Sequence, residues 1–284
     1  AYWLFFAKEI NGVPNDELGI LDIGASIGCD FGHVVGVGHL RMEPDPNNNL
    51  FKMPAGDFEE FLNSPRSIIE FGGDANGQLP NSIVGHVSQP LQNVILSGSG
   101  VKTLTKEDGE YINGWMEIEN GTTLNYGNTP VHIKGNWIDK NTTRSGFAPG
   151  SSNEKSLVEF CGSKEQKITL SNNSSSFWNL KISNPAGVKI ESSDGSSTAN
   201  LTVGYKLIFN GGYVVGTDNS HLIIESAANT SGAGASAFVV GPLTKIMSKS
   251  GSSFVYPVGG TIVDNGVKKF EYASRELSSG SAAG

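Results

Sequence analysis

Residues 67–73 read SIIEFGG, and residues 156–162 read SLVEFCG, so the chain contains one phrase twice, 89 residues apart (156 − 67). The segments after the two phrases are repeated as well. NVILS and GVKTL, within residues 93–104, correspond to NLKIS and GVKI, within residues 179–190. Each phrase has apolar residues at the same steps, then a glutamate, a phenylalanine and a glycine-containing turn. A long repeat of short strands is typical of stacked-coil architectures.

Short apolar runs separated by turns continue over most of the chain. Of its 284 residues 37 are glycine, and turn-forming pairs such as Asn-Gly and Ser-Ser lie between runs that alternate with period two. The runs are shorter than is usual for sandwich strands. We therefore predict an all-β fold, a right-handed parallel β-solenoid with coils of roughly twenty residues. We expect Phe71 and Phe160 to point into its core at equivalent coil positions.

We expect the solenoid to occupy residues 18–245. Residues 1–17 contain the apolar cluster WLFF and receive no assigned role. After residue 245 the repeated phrases stop, and Pro242 and Pro257 each remove a backbone donor that a continuing ladder would need. The Asn265-Gly266 pair favours a hairpin turn, so residues 246–284 are predicted to form an antiparallel transition and capping hairpin with a mobile tail from Ser278. We expect the chain to be a piece of a longer protein.

Charge and hydropathy argue against two classes of partner. The net charge is −8, which disfavours nucleic acid because phosphate binding relies on patches of Lys and Arg. No apolar run approaches the roughly 20 residues that a membrane-spanning helix needs. Cys29 and Cys161 lack metal-binding spacing, and we expect both to be free, buried, small apolar residues.

The chain resembles the β-helical repeat regions of large cell-surface and secreted proteins of Bacteroidota that are exported by type IX secretion. The two repeated phrases carry the resemblance, and its most specific part is VGPLTK at 240–245 followed by FVYPVG at 254–259. In that family this pair closes the solenoid and leads into another domain. The resemblance covers roughly residues 18–260. It implies an extracellular or cell-surface location, with the secretion machinery and surface polysaccharide or other cells as partners.

Paired acidic residues would indicate a catalytic site, because carbohydrate-active enzymes also adopt the β-helix fold. Glu70 and Glu159 hold the same place in the two phrases, but about four coils should separate them. That is beyond the roughly 5–10 Å that separates paired glycosidase carboxylates, so we expect both to be structural. The histidines show no ligand spacing and are expected at solvent-facing positions (His33, His39, His86, His132 and His221).

Two weaker candidate sites remain. Glu43 and Asp45 lie in a loop rich in Pro and Asn, and their oxygens could hold calcium, although a plain turn explains the same residues. No other cofactor is expected. Trp115 and Trp137 are one expected coil apart and could stack on an outer face as a platform for sugar rings, with a role as core filler as the alternative.

The primary hypothesis is a non-enzymatic structural or adhesive segment of a large secreted or cell-surface protein, a type IX secretion substrate. The alternatives are a carbohydrate-active β-helix enzyme, which the missing acid cluster disfavours, and a glycan-binding module that uses the Trp face.

Overall fold

A computed structural model describes residues 3–6, 9–10, 13–14, 19–25, 30–80, 90–106, 108–143, 145–148, 154–172, 175–195, 197–248, 253–264 and 267–278. For residues 3–14 and 261–278 only the backbone is described. Within these ranges nearly all regular structure is strand. None of the helical structure in them is long and apolar enough to cross a bilayer.

In chain order the elements are β1 (Trp3–Phe6), β2 (Glu9–Ile10), β3 (Val13–Pro14), β4 (Ile20–Asp22), β5 (Asp30–Gly36), β6 (His39–Met42), β7 (Ala55–Asp57), α1 (Glu59–Asn63), β8 (Ile68–Phe71), β9 (Gly77–Gln78), β10 (Asn93–Leu96), β11 (Gly100–Thr103), β12 (Glu110–Ile112), β13 (Met116–Ile118), β14 (Thr122–Asn125), β15 (Val131–Ile133), β16 (Trp137–Asp139), β17 (Phe147–Ala148), β18 (Leu157–Phe160), β19 (Gln166–Leu170), β20 (Ser175–Ser192), β21 (Ala199–Val215), β22 (Ser220–Ile224), β23 (Asn229–Ser231), β24 (Ala237–Val240), β25 (Leu243–Lys245), β26 (Ser253–Asp264) and β27 (Val267–Ser278).

These strands stack in parallel as a β-solenoid of about 9 turns, which confirms the predicted fold class. Three ladders run along it. The first face contains β4, β6, β8, β10, β13, β16 and β19. The second face contains β12, β15 and β18, and the third contains β9, β11, β14 and β17. The long strands β20 and β21 each continue from one face into the next.

The core consists of side chains that repeat from coil to coil. Alternate residues of a strand point to opposite faces, so each strand places every second side chain inside. One first-face column is 2 % exposed or less throughout: Leu40, Ile69, Val94, Met116, Trp137, Ile168 and Ile190. Full burial of such a side chain contributes about 1.5–3 kcal/mol, so each coil is stabilised chiefly by the coils on either side.

Phe71 and Phe160 both point into this core, with 1 % and 0 % of their surfaces exposed, as predicted. The expected equivalence of their coil positions is wrong. Phe71 ends β8 on the first face, whereas Phe160 ends β18 on the second. The reason is that coil length varies, from 19 residues between Asp22 and Arg41 to 31 between Asn136 and Lys167. The offset between the repeated phrases is therefore not a whole number of coils.

The two copies of the repeated phrase share a local hydrogen-bond pattern, although they lie on different faces. The Asn93 side-chain amide donates to the Ser67 carbonyl at 3.0 Å, and the Asn179 amide donates to the Ser156 carbonyl at 3.2 Å. In each copy an asparagine satisfies a backbone carbonyl of the preceding coil, at the start of the phrase. Buried polar groups require such partners, which explains why the Ser and the Asn recur together.

Lys102 replaces an apolar residue in a core column of the third face. Its strand neighbours there are Gly77 and Leu124, and the side chain is fully buried. The ammonium donates to the carbonyls of Gly73, Ala75 and Ser99 at 2.8, 2.8 and 3.0 Å. Burial lowers the pKa of Lys102 to about 8. The buried charge is thus held by the dipoles of three turn carbonyls instead of a carboxylate.

Both ends of the chain pair with neighbouring strands. β1 pairs in parallel with β5, with Trp3 opposite His33, and the two strands form a separate three-stranded sheet with β7. The predicted antiparallel hairpin is confirmed, since β26 and β27 pair from Ser253–Ser278 to Asp264–Val267. β26 also pairs in parallel with β24 at Val239 and Val258. The turn pair Asn265-Gly266 and the tail from residue 279 lie outside the described residues.

Candidate functional site

The expected platform of Trp115 and Trp137 is not formed. Trp137 is fully buried in the first-face core, where its ring lies edge-on to Phe147 and Phe177, at 5.1 and 5.3 Å between centroids. Trp137 pairs with Met116, which places Trp115 one residue out of register with it. A shift of one residue reverses the direction of a strand side chain, so the two tryptophans cannot share an outer face. Core filling, the alternative, is the correct interpretation of Trp137.

The calcium site suggested at Glu43 and Asp45 is also not formed. Asp45 is buried and accepts hydrogen bonds from Asn47, Asn48 and Lys52, at 2.9–3.1 Å. The Asn47 backbone N–H in particular holds the pKa of the Asp45 carboxyl below its usual value. Glu43 instead pairs with Arg41 at 3.0 Å. Among the described residues no three His, Cys, Asp or Glu side chains converge as metal ligands.

The outer surface of the second face carries a compact group of polar side chains. Its side chains form two adjacent columns, which we call the double column. The first column consists of residues that pair with one another in the strands. The second column consists of the residues two positions later on the same coils. The first comprises Tyr111, His132, Glu159 and Lys181, and the second Asn113, Lys134, Cys161 and Ser183.

Glu159 is the centre of the double column. Its carboxylate lies 2.7 Å from His132 Nδ1 and 2.9 Å from Lys181 Nζ, and it accepts a hydrogen bond from the Ser183 hydroxyl. The His132 hydrogen bond, supported by those of Ser183 and Lys181, outweighs burial and lowers the pKa of Glu159 to about 2. The carboxylate is therefore ionised at any physiological pH.

Glu70 has the same kinds of partner on the first face. Arg41 Nε lies 3.1 Å from its carboxylate, and the Ser97 hydroxyl donates to it. His39 Nε2 lies 2.7 Å from the same carboxylate. Burial alone would raise the pKa of Glu70, but these three neighbours lower it. Both glutamates thus bind side chains of neighbouring coils, and their structural role stays a prediction.

The expectation that the histidines face solvent is wrong for His39 and His132. His39 is 8 % exposed and His132 is half-buried, and each lies against a carboxylate of the next coil. The signal was present in the spacing. His132 precedes Glu159 by 27 residues and Lys181 follows it by 22, and each spacing is one coil of this solenoid. Sequence reasoning missed it because it searched for ligands at short spacing.

An open pocket of about 420 Å³ adjoins the double column. It is lined by Asn113, Lys134, Cys161, Ser163 and Lys164. Lys134 Nζ donates to Asn113 Oδ1 at 2.8 Å. Cys161 is a free cysteine, as expected, but it is half-buried and lines the pocket instead of the core. Burial and the charge of Glu159 raise the pKa of its thiol, so it stays protonated. Cys29 lies outside the described residues.

A second, smaller pocket lies beside an aromatic pair. Trp178 and Tyr205 stack in parallel on neighbouring coils, with centroids 5.5 Å apart and planes inclined by 3°. A register shift between Phe177 and Asn179 creates this arrangement, because β21 has one more residue there than β20. The pocket, of about 230 Å³, is lined by Glu154, Asn179, Tyr205, Lys206 and Ile208.

Comparison with known proteins gives no further guide. The chain matches no protein-family model, no curated protein and no solved structure.

Proposed function

We propose that this chain is a non-enzymatic structural or adhesive segment of a large secreted or cell-surface protein. The observation that supports this best is the continuous stack, with a first-face core column closed to solvent from Leu40 to Ile190. A solenoid of this kind gains length coil by coil, and its stiffness follows from contacts between neighbouring coils. Such a rod holds an outer face at a distance from the surface that carries it.

The arrangement of reactive groups supports a non-catalytic role. In nucleophilic catalysis a histidine lies between the serine and the carboxylate and removes the serine proton. Here Glu159 lies between Ser183 and His132, so the hydroxyl faces a carboxylate whose pKa of about 2 makes it a poor base. Cys161, with its raised pKa, is a poor nucleophile because the thiolate is the reactive form.

The location and route of export belong to the same proposal. We propose an extracellular or cell-surface location and export by type IX secretion, on the strength of the repeated phrases and the VGPLTK and FVYPVG segments. Antibodies against this chain should label intact cells of the source organism or detect the protein in the culture fluid. Labelling that appears only after the cells are lysed would contradict the location.

A turnover assay tests the non-enzymatic role. The purified chain is incubated with neutral and acidic polysaccharides, and new reducing ends and unsaturated sugars are measured over time. We expect no turnover above that of a heat-denatured sample. Reproducible cleavage that a single Asp or Glu substitution abolishes would overturn the proposal in favour of the carbohydrate-active enzyme.

A further inference from the structure

We propose that the pocket lined by Asn113, Lys134, Cys161, Ser163 and Lys164 binds the carboxylate or sulfate group of an acidic glycan, whose sugar ring packs on the neighbouring Tyr111. This inference deepens the adhesive role proposed above and rests on it.

The charges of the pocket point to an anion. Lys140, Lys167, Lys181 and Lys189 all form ion pairs with glutamates at 2.7–3.3 Å. Within the described part of the chain neither Lys134 nor Lys164 has a carboxylate partner, and both are exposed. Two ammonium groups without a carboxylate partner make this pocket locally basic on a protein of net charge −8.

The other lining groups complete an anion-binding set. The Ser163 hydroxyl and the Asn113 side-chain amide supply donors beside the ammonium groups. Lysine acts as a point charge without the planar fork of arginine, so the pocket suits a carboxylate and a sulfate alike. Its volume of about 420 Å³ falls within the roughly 300–1,000 Å³ of small-molecule sites.

The aromatic neighbour indicates that the anion is attached to a sugar. Tyr111 is 47 % exposed and stacks on His132, with centroids 4.5 Å apart and planes inclined by 11°. Tyr111 lies two residues before Asn113 on the same coil, so their Cα atoms are at most about 7 Å apart. An exposed ring of this kind offers an apolar face with a polar edge, which is the surface on which a sugar ring packs.

Calorimetric titration at low salt tests the proposal with four probes of equal length. These are a glucuronate oligosaccharide, a sulfated oligosaccharide, a neutral gluco-oligosaccharide and an oligoglutamate peptide. We expect one or both acidic sugars to bind, and their relative affinity separates carboxylate from sulfate. Binding should weaken at least tenfold in Lys134→Ala and in Lys164→Ala, and several-fold in Tyr111→Ala. If the Lys134→Ala variant is poorly folded, Lys134→Gln replaces it, because glutamine keeps most of the side-chain length. Lys134→Gln should show the same loss of affinity.

Lys167→Ala is the matched control, because it removes the same charge from the first face, where Lys167 pairs with Glu191. It should leave the affinity within twofold. Bound glycan should also slow alkylation of Cys161, as followed by peptide mapping. Equal loss in the control, unchanged alkylation, equal binding of the neutral sugar or tighter binding of the peptide would each overturn the inference. Absence of binding, combined with surface labelling and no turnover, would overturn it and leave the structural segment standing.

Discussion

At the scale of single residues, Glu159 shows how this fold holds a nearly buried charge. Its carboxylate is 11 % exposed and has three partners from two neighbouring coils, so it ties those coils together. Removal of one partner from such an ion pair strongly destabilises the fold, because the remaining charges stay partly buried without compensation.

We predict that Glu159→Gln lowers the free energy of unfolding by about 1–2 kcal/mol at pH 7. The folded pKa of about 2 lies below the ordinary value of 4.5. The stabilisation is therefore complete above pH 4.5 and is lost as the pH falls towards 2. Denaturant unfolding at several pH values measures this. The variant should lose much of the pH dependence in that window, and the exposed Glu165→Gln should keep it. Identical pH profiles for Glu159→Gln and the native chain would refute the assignment.

Gly135 is required by the close approach of two coils. A Cβ built on Gly135 would lie 2.2 Å from the Gly114 carbonyl oxygen, which is backbone and cannot move aside easily. We predict that Gly135→Ala lowers the free energy of unfolding by about 1–3 kcal/mol through overpacking.

The matched control is Gly234→Ala, because a Cβ there meets nothing within 4 Å. Its melting temperature should stay close to that of the native chain. A melting temperature for Gly135→Ala as high as that of Gly234→Ala would show that the coils are further apart than described.

The residue scale also shows a limit of sequence reasoning. Pattern and spacing correctly placed Phe71 and Phe160 inside, because period-two alternation is local. Whether Trp115 points to the same side as Trp137 depends on the length of the coil between them, and a difference of one residue reverses the answer. Nothing in the sequence fixes that length, since the loops between strands absorb insertions at little cost.

At the scale of strands and turns, the inward phenylalanines carry the largest testable effect. We predict that Phe71→Ala and Phe160→Ala each lower the free energy of unfolding by about 3–5 kcal/mol, because each leaves a cavity in a closed core. Denaturant titration of the two variants measures the loss. Ile20→Ala serves as the control, since that side chain is 64 % exposed and its removal should cost little. Losses below about 1 kcal/mol for both phenylalanines would show that the strand facing is wrong.

The element scale explains why some features could be predicted from the sequence and others could not. The parallel stacking and the C-terminal hairpin follow from strand length, glycine frequency and one Asn-Gly pair. The position of Glu70 and Glu159 on different faces could not be predicted. Because coil length varies from 19 to 31 residues, the number of coils between two positions cannot be counted from the sequence. Lys102 was equally hidden, since a lysine in a core column becomes acceptable only through three carbonyls, two from a turn of the preceding coil and one from the turn before its own strand.

At the scale of the whole molecule, the first and second faces of the solenoid differ in the side chains that they carry. The first face joins coils through its core column and ion pairs, such as Lys167 with Glu191. The second face presents the double column, the exposed Tyr111 and the pocket with two uncompensated lysines. The adhesive role proposed above would use the second face as a binding surface on a scaffold of stacked coils.

Spin-label distances along one outer column test most directly whether successive coils stack in the register described. Asp22, Arg41, Glu70, Ile95, Glu117, Ile138 and Thr169 follow one another along the first face. Labels at Ile95 and Thr169, in a chain without native cysteines, should lie about 14 Å apart, and labels at Asp22 and Thr169 about 29 Å apart, at ~4.8 Å per coil. An Asp22–Thr169 distance no longer than the Ile95–Thr169 distance would contradict the solenoid.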